Sequence, residues 1–310
     1  MKKIKKIIML ITLSSLAIDL HAASTLVYNL RIAETTTSRR FEEFGHLPWV
    51  AASTLVGQFR QSRADVNQAL AGGLVTLSYA QKNWFVRLDF AAAHVRSHSS
   101  ILPELDQSRT QTDDLLLSGG YGFSWGERSQ FSLSGLLGIP THKPLDLPFV
   151  QFGSGHVGLG IQLDNNFKYC SINSLRSAAR YIHFFQKQTT SLEIFNPAIF
   201  DFTYGNAVDL YVAHRTHWKQ KHMFDFGYNP TFFFGAHIEP KVEEEINVED
   251  INDELNFIRS NFFAAYRRYF LIKGHPSGVT FGISAGFDHI PKRTGLKNIV
   301  SFWASWGITF

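Results

Sequence analysis

Apolar and polar residues alternate with a period of two along most of the chain. Phe224, Phe226, Tyr228, Pro230, Phe232, Phe234, Ala236 and Ile238 fall on one side, and Asp225, Gly227, Asn229, Thr231, Phe233 and Gly235 on the other. Val279, Phe281, Ile283, Ala285 and Phe287 oppose Thr280, Gly282, Ser284, Gly286 and Asp288 in the same way. Val157, Leu159, Ile161 and Leu163 oppose Gly158, Gly160, Gln162 and Asp164, while Trp84, Val86, Leu88 and Phe90 oppose Phe85, Arg87, Asp89 and Ala91. Successive side chains of a strand point to opposite faces, so each run reads as extended chain. A helix at these places would spread its apolar groups around the whole circumference.

The alternation predicts strands over 25–34, 69–80, 84–97, 113–125, 130–141, 154–164, 167–183, 202–217, 221–238, 256–272, 277–290 and 298–310. A soluble sandwich also alternates, but strands of about five or six residues suffice for it. Runs such as 202–217 and 222–238 instead reach the roughly 9–11 residues that cross a bilayer at a tilt. Brief connections at 81–83, 126–129, 165–166, 218–220 and 273–276 alternate with generally longer ones, which is the rhythm of short periplasmic turns and longer outer loops. Tyr79, Trp84, Trp125 and Phe131 flank two of the brief turns, where interfacial aromatics belong. The pattern therefore predicts an all-β fold, a transmembrane antiparallel β-barrel of about twelve up-and-down strands with both termini periplasmic.

The first strand is the least determined. Leu26, Tyr28, Leu30 and Ile32 alternate well, with 47–60 as the alternative. If 25–34 is the strand, residues 35–68 form a long connection in which Trp49, Ser53, Val56 and Arg60 lie at helical spacing. That segment is then an ordered outer loop or a plug folded into the lumen.

Composition changes the picture at the N terminus. Lys2, Lys3, Lys5 and Lys6 precede an apolar stretch from Ile7 to Ile18, and Leu20-His21-Ala22 offers a small residue at the cut. This predicts a signal peptide over 1–22, cut after Ala22 or Ala23. The stretch is too short for the roughly 20 apolar residues of a spanning helix. Removing its four Lys and one Asp from 30 basic and 26 acidic residues leaves 26 and 25. The basic balance thus belongs to the targeting segment, and no nucleic-acid partner is implied. Cys170 is the only cysteine, which excludes an internal disulfide and thiolate metal clusters.

At the other end Val300, Phe302, Ala304, Trp306, Ile308 and the final Phe310 share one face. This resembles the C-terminal signal of bacterial outer-membrane β-barrel proteins, with Phe302, Trp306, Ile308 and Phe310 as its residues. The resemblance implies insertion by the barrel-assembly machinery, a cell-outer-membrane location, and outer-membrane lipid and lipopolysaccharide as surroundings. Gly138-Ile139-Pro140-Thr141, with Phe152-Gly153-Ser154-Gly155 and the strand ending at Asp164, is similar to a segment of the phenol meta-degradation-pathway and FadL-like transporters. His142-Lys143 departs from that family's usual Gly-Asp. This second resemblance implies passive uptake of small hydrophobic or aromatic compounds, such a compound being the ligand. A general porin and a structural or surface-binding barrel with a blocked lumen are the alternatives.

Ionisable residues inside the strands are the candidate site. Arg87, Asp89, Arg176, Arg180, Asp209 and Arg215 would each be costly against lipid, roughly 2–4 kcal/mol for a basic group near the midplane, so they are expected to face the lumen. There they form either a polar lining that selects solutes or a closed network of Arg–Asp pairs that fills a narrow barrel. Inward Gly, Ser and Thr over 278–286 would leave room, whereas inward Phe85, Tyr211 and Phe233 would constrict.

No cofactor, metal or catalytic residue is expected. His214 and His217 point to opposite faces, and His94 and His98 stand about 13 Å apart on one strand face. His98-Ser99-Ser100 only faintly resembles the motif of an outer-membrane phospholipase, lacks the Asn-Gly that should follow, and falls in a predicted loop. The acidic segment from Glu239 to Glu254 has no EF-hand spacing and reads as a solvated loop.

Overall fold

The structure, a computed structural model, describes residues 49–61, 66–81, 83–99, 106–141, 157–185, 187–192, 198–203, 205–219, 221–240, 256–289 and 296–310. The expected signal peptide and the 25–34 strand lie outside these residues, as does most of the acidic segment.

Extended chain dominates, and the expected closed sheet is present. The wall begins with β1 (Trp49–Gln61), β2 (Val66–Gln81) and β3 (Trp84–Ser99), then β4 (Gln107–Thr112) and β5 (Leu115–Trp125). It continues through β6 (Ser129–Ile139), β7 (Val157–Lys168) and β8 (Asn173–Phe185). Beyond β9 (Lys187–Leu192) and β10 (Ala198–Thr203) come β11 (Asn206–Trp218), β12 (His222–Phe234) and β13 (His237–Pro240). The chain ends with β14 (Ile258–Ile272), β15 (His275–His289) and β16 (Leu296–Thr309). Every pairing is antiparallel, β8 lies beside β11 and β12 beside β14, and β16 closes the ring by pairing with β1 from Val50↔Thr309 to Arg60↔Ile299.

β4 and β5 are one wall strand. Both pair with β3, and between Ala92↔Thr112 and Asp89↔Leu116 the chain carries one residue more than β3 does. The Asp113 amide still donates to the Ala91 carbonyl at 2.8 Å, the arrangement of a β-bulge. The wall therefore has twelve strands. β9, β10 and β13 form a small sheet in the same lateral order as β8, β11 and β12, extending that part of the wall past a bend at Gly205 and Gly235. Gly235 has φ +76, and a Cβ on Gly205 would sit 2.2 Å from the Phe234 carbonyl oxygen.

Three expectations are corrected. Residues 49–61 are a wall strand, so the 47–60 alternative supplies β1, and Trp49, Ser53, Val56 and Arg60 lie on extended chain rather than on a helix or plug. The expected turn at 165–166 lies further on, at 169–172, because β6 and β7 stay paired out to Ser129↔Phe167. Asn165 and Asn166 are strand residues despite their turn chemistry. The two long runs 202–217 and 221–238 each break at the glycine bend, which resets the alternation and buries Ala236, expected outward.

The brief turns gather at one end, joined there by the two ends of the barrel, where Trp49 and Phe310 exchange backbone hydrogen bonds of 3.1 and 3.0 Å. Gly126, Lys219, Lys273 and Gly274 take positive φ in these turns. Cys170 is exposed in the turn between β7 and β8, and the Ile172 backbone amide holds its thiol below the ordinary range. On the outer face the same end carries aromatics: Trp49 packs on Tyr79 at 4.8 Å, Trp84 on Tyr121 at 5.0 Å and Trp125 on Phe131 at 6.4 Å.

Between this rim and the outer loops most of the outer wall is apolar and uncovered. Phe226 is 67% exposed, Phe281 and Ile283 each 56% and Phe302 51%, so no second layer of the described chain covers these positions. The inner face holds the buried charged and small polar groups, the inverse of a soluble domain. An outward Phe226→Arg or Ile283→Arg substitution should lower the unfolding free energy in lipid vesicles by roughly 2–4 kcal/mol, measured by denaturant titration. Unchanged stability in both variants would mean that these side chains do not meet hydrocarbon.

Candidate functional site

All six ionisable residues singled out from the sequence, Arg87, Asp89, Arg176, Arg180, Asp209 and Arg215, lie on the inner face and are buried. Strand parity places them there, and register decides which of them meet. Arg180, Asp209 and Thr231 are direct partners across β8, β11 and β12. Arg180 Nε donates to Asp209 Oδ2 at 2.8 Å, and the Thr231 hydroxyl donates to Oδ1 at 2.6 Å. Arg87 Nε donates to Asp89 Oδ2 at 2.8 Å, and Thr76, opposite Asp89 on β2, donates its hydroxyl to the same carboxylate. Such charge-assisted bonds offset much of the cost of taking these ions out of water.

Four inner charges outside that set complete the network. Arg215 makes a two-pronged pair with Asp225, its cross-strand partner on β12. Asp288 on β15 accepts from Arg259 Nε at 2.8 Å and from Arg60 Nη2 at 3.0 Å, so two arginines share one acid. Asp225 and Asp288 already fall on the polar side of the sequence alternation, and Arg259 keeps the same parity on β14. Arg60 was hidden by the assignment of its segment to a connection. Two arginines stand apart. Arg267 donates Nε to the Thr280 hydroxyl at 2.7 Å but makes no ion pair among the described residues. Arg176 makes none either, and its Nε and Nη1 have no hydrogen-bond partner.

An apolar cluster on the inner face adjoins these charges, with Val56, Leu70, Leu74, Val95, Tyr211, Phe263 and Trp303 as its larger members. Tyr211 stacks on Phe263 with centroids 5.2 Å apart. Nearer the outer loops, Phe233 stacks on Phe257 at 4.5 Å, and the Arg259 guanidinium lies over both rings. Phe85, Tyr211 and Phe233 thus face inward as expected. The inward glycines do not leave open space. A Cβ at Gly282 would sit 2.1 Å from the Trp303 ring, and one at Gly227 would sit 2.6 Å from Phe263. Tyr269 covers Gly278, and Asn261 covers Gly286. These glycines let bulky side chains lie flat on the wall, a use of glycine that the pattern of one strand cannot show.

The remaining candidates separate. His214 is exposed on the outer face, with Nδ1 2.7 Å from the Tyr169 hydroxyl, while His217 has the opposite parity. His98 is on strand β3 rather than in a loop, 3.0 Å from Asp106. His94 lies on the same outer face between the hydroxyls of Ser108 and Thr110, 3.0 Å from each. On the last strand Phe302, Trp306 and Phe310 are exposed outward, with Ile308 half-buried beside them.

No protein-family model matches the sequence, and no curated protein matches it. Among solved structures the fold is similar to an outer membrane channel from Pseudomonas putida F1, with a TM-score of 0.64 at 12% identity over 86% of this chain and 96% of that one. The CymD monoaromatic hydrocarbon channel gives a TM-score of 0.43 at 7% identity over 86% and 90% of the two chains. A Pseudomonas aeruginosa FadL homologue gives 0.42 at 8% over 85% and 90%. The chain has the fold of a bacterial outer-membrane β-barrel.

Removing one member of a buried ion pair strands the other. Asp209→Ala should therefore cost roughly 3–5 kcal/mol of unfolding free energy. Arg176→Gln strands nothing and should cost less than about 1 kcal/mol. Denaturant titration of the two variants side by side checks the contrast, and equal losses would contradict the pairing described.

Proposed function

We propose that the protein is an outer-membrane channel for passive uptake of small hydrophobic or aromatic compounds. The observation that carries this reading is the apolar cluster on the inner wall, where Tyr211, Phe263 and Trp303 adjoin Leu74 and Val56. A hydrated ion loses favourable contacts against such a surface, whereas an apolar solute gains them. The fold likeness to a protein described as an outer membrane channel supports a channel over a catalytic role. In this reading residues 1–22 are the removed signal peptide, the barrel-assembly machinery engages Phe302, Trp306, Ile308 and Phe310, and lipid and lipopolysaccharide surround the outer wall.

A second reading has an observation of its own. The buried pairs Arg180–Asp209, Arg215–Asp225 and Arg259–Asp288 fill inner space and would suit a structural barrel with a blocked lumen. Incorporated into a planar bilayer, the protein should show small ion conductance or none, and proteoliposomes should take up a small aromatic solute faster than protein-free vesicles. Large, weakly selective conductance would point to a general porin. Absence of both conductance and uptake would favour the blocked barrel.

A further inference from the structure

The inner face toward the turn rim carries more positive charge than its acids neutralise. On β8, β11, β12 and β14, which are successive in the wall, stand Arg176, Arg215, Asp225 and Arg267. The register Ala213↔Arg176, Arg215↔Asp225 and Met223↔Arg267 makes them direct or diagonal neighbours on one face. Asp225 is committed to Arg215 in the two-pronged pair. The carboxylate on the next strand, Asp164 of β7, accepts from Ser132 at 3.1 Å and from Gln162 at 3.0 Å. Three guanidiniums thus share one carboxylate that bonds directly to any of them.

Arg176 is the member without a partner. It is 4% exposed, and its Nε and Nη1 donate to nothing among the described residues. Ser174, two residues earlier on the same face and fully buried, also has a hydroxyl without a partner among the described residues. A fixed guanidinium in a low-dielectric interior is costly unless an anion accepts its hydrogen bonds. The planar fork of arginine fits a carboxylate best, and a serine hydroxyl can donate to the same group. The apolar neighbour is fixed too: Tyr211 pairs with Ala178, the next inward residue after Arg176, and its ring stacks on Phe263.

We infer that Arg176 and Ser174 form a subsite for the carboxylate of a small aromatic acid, whose ring lies against Tyr211. This rests on the channel reading above and narrows its solute class from aromatic compounds to aromatic carboxylates. Arg215 and Arg267 raise the local potential, while Asp225 keeps Arg215 aligned along the wall.

The test is equilibrium binding of sodium benzoate and of its neutral isostere benzamide to the detergent-solubilised full-length protein, followed by calorimetry or saturation-transfer NMR. Benzoate should bind the unaltered protein at least about tenfold more tightly than benzamide, as a charge-assisted bidentate contact implies. Arg176→Gln should bring benzoate down to the affinity of benzamide while leaving benzamide unchanged. Arg176→Lys, which keeps the charge and loses the fork, should fall between them. Heat-modifiable electrophoretic migration confirms that each variant is a folded barrel, and Ser174→Ala provides a second, milder perturbation in the same direction. If both ligands bind equally, or if Arg176→Gln binds benzoate like the unaltered protein, the carboxylate subsite is wrong and the aromatic channel stands. If neither ligand binds, both the subsite and the aromatic channel are overturned.

Discussion

Backbone amides and carbonyls have no water to bond inside a bilayer, and this one constraint shapes everything else in the molecule. A sheet satisfies it only by closing on itself, because any free edge would leave a row of unpaired groups in hydrocarbon. The pairing of β16 with β1 is therefore as important as the other pairings of the wall together. It also forces the side-chain arrangement. With every backbone group consumed by the wall, alternate residues must meet lipid outside and one another inside, so the apolar set is exposed and the polar set is buried.

Inside, the difficulty reverses, since charges now sit where water is scarce. At three places the wall answers by placing an acid directly opposite an arginine. Arg180 faces Asp209, Arg215 faces Asp225 and Arg259 faces Asp288, each as a cross-strand partner. The aromatic side chains follow a parallel rule, in which Trp303 and Phe263 lie over Gly282 and Gly227 instead of standing into the interior. Against this background Arg176, which makes no ion pair among the described residues and whose Nε and Nη1 find no acceptor there, stands out from Arg180.

The period of two was legible because lipid and the interior impose opposite demands on neighbouring residues. Where those demands weaken, so did the reading. β1 sets Ser53 and Gly57 outward and Val50 and Val56 inward, a poor alternation that a helical spacing matches equally well. Asn165 and Asn166 carry turn chemistry but sit in a ladder extended by its neighbour β6. Arg176 and Arg180 have the same parity on the same strand and are indistinguishable in the sequence. Only the register with β11, which sets Ala213 opposite one and Asp209 opposite the other, separates them. Side-chain direction is a property of one strand, whereas partnership needs two.

The central claim, that one side of each strand meets hydrocarbon and the other a closed interior, is tested most directly by spin labels placed singly from 224 to 233 along β12. The background for this scan is Cys170→Ser, with the protein in lipid vesicles. Collisional accessibility to oxygen should rise and fall with a period of two, high at 224, 226, 228 and 232 and low at 225, 227, 229, 231 and 233. A flat profile, or labels at 224 and 226 shielded from oxygen, would contradict the account.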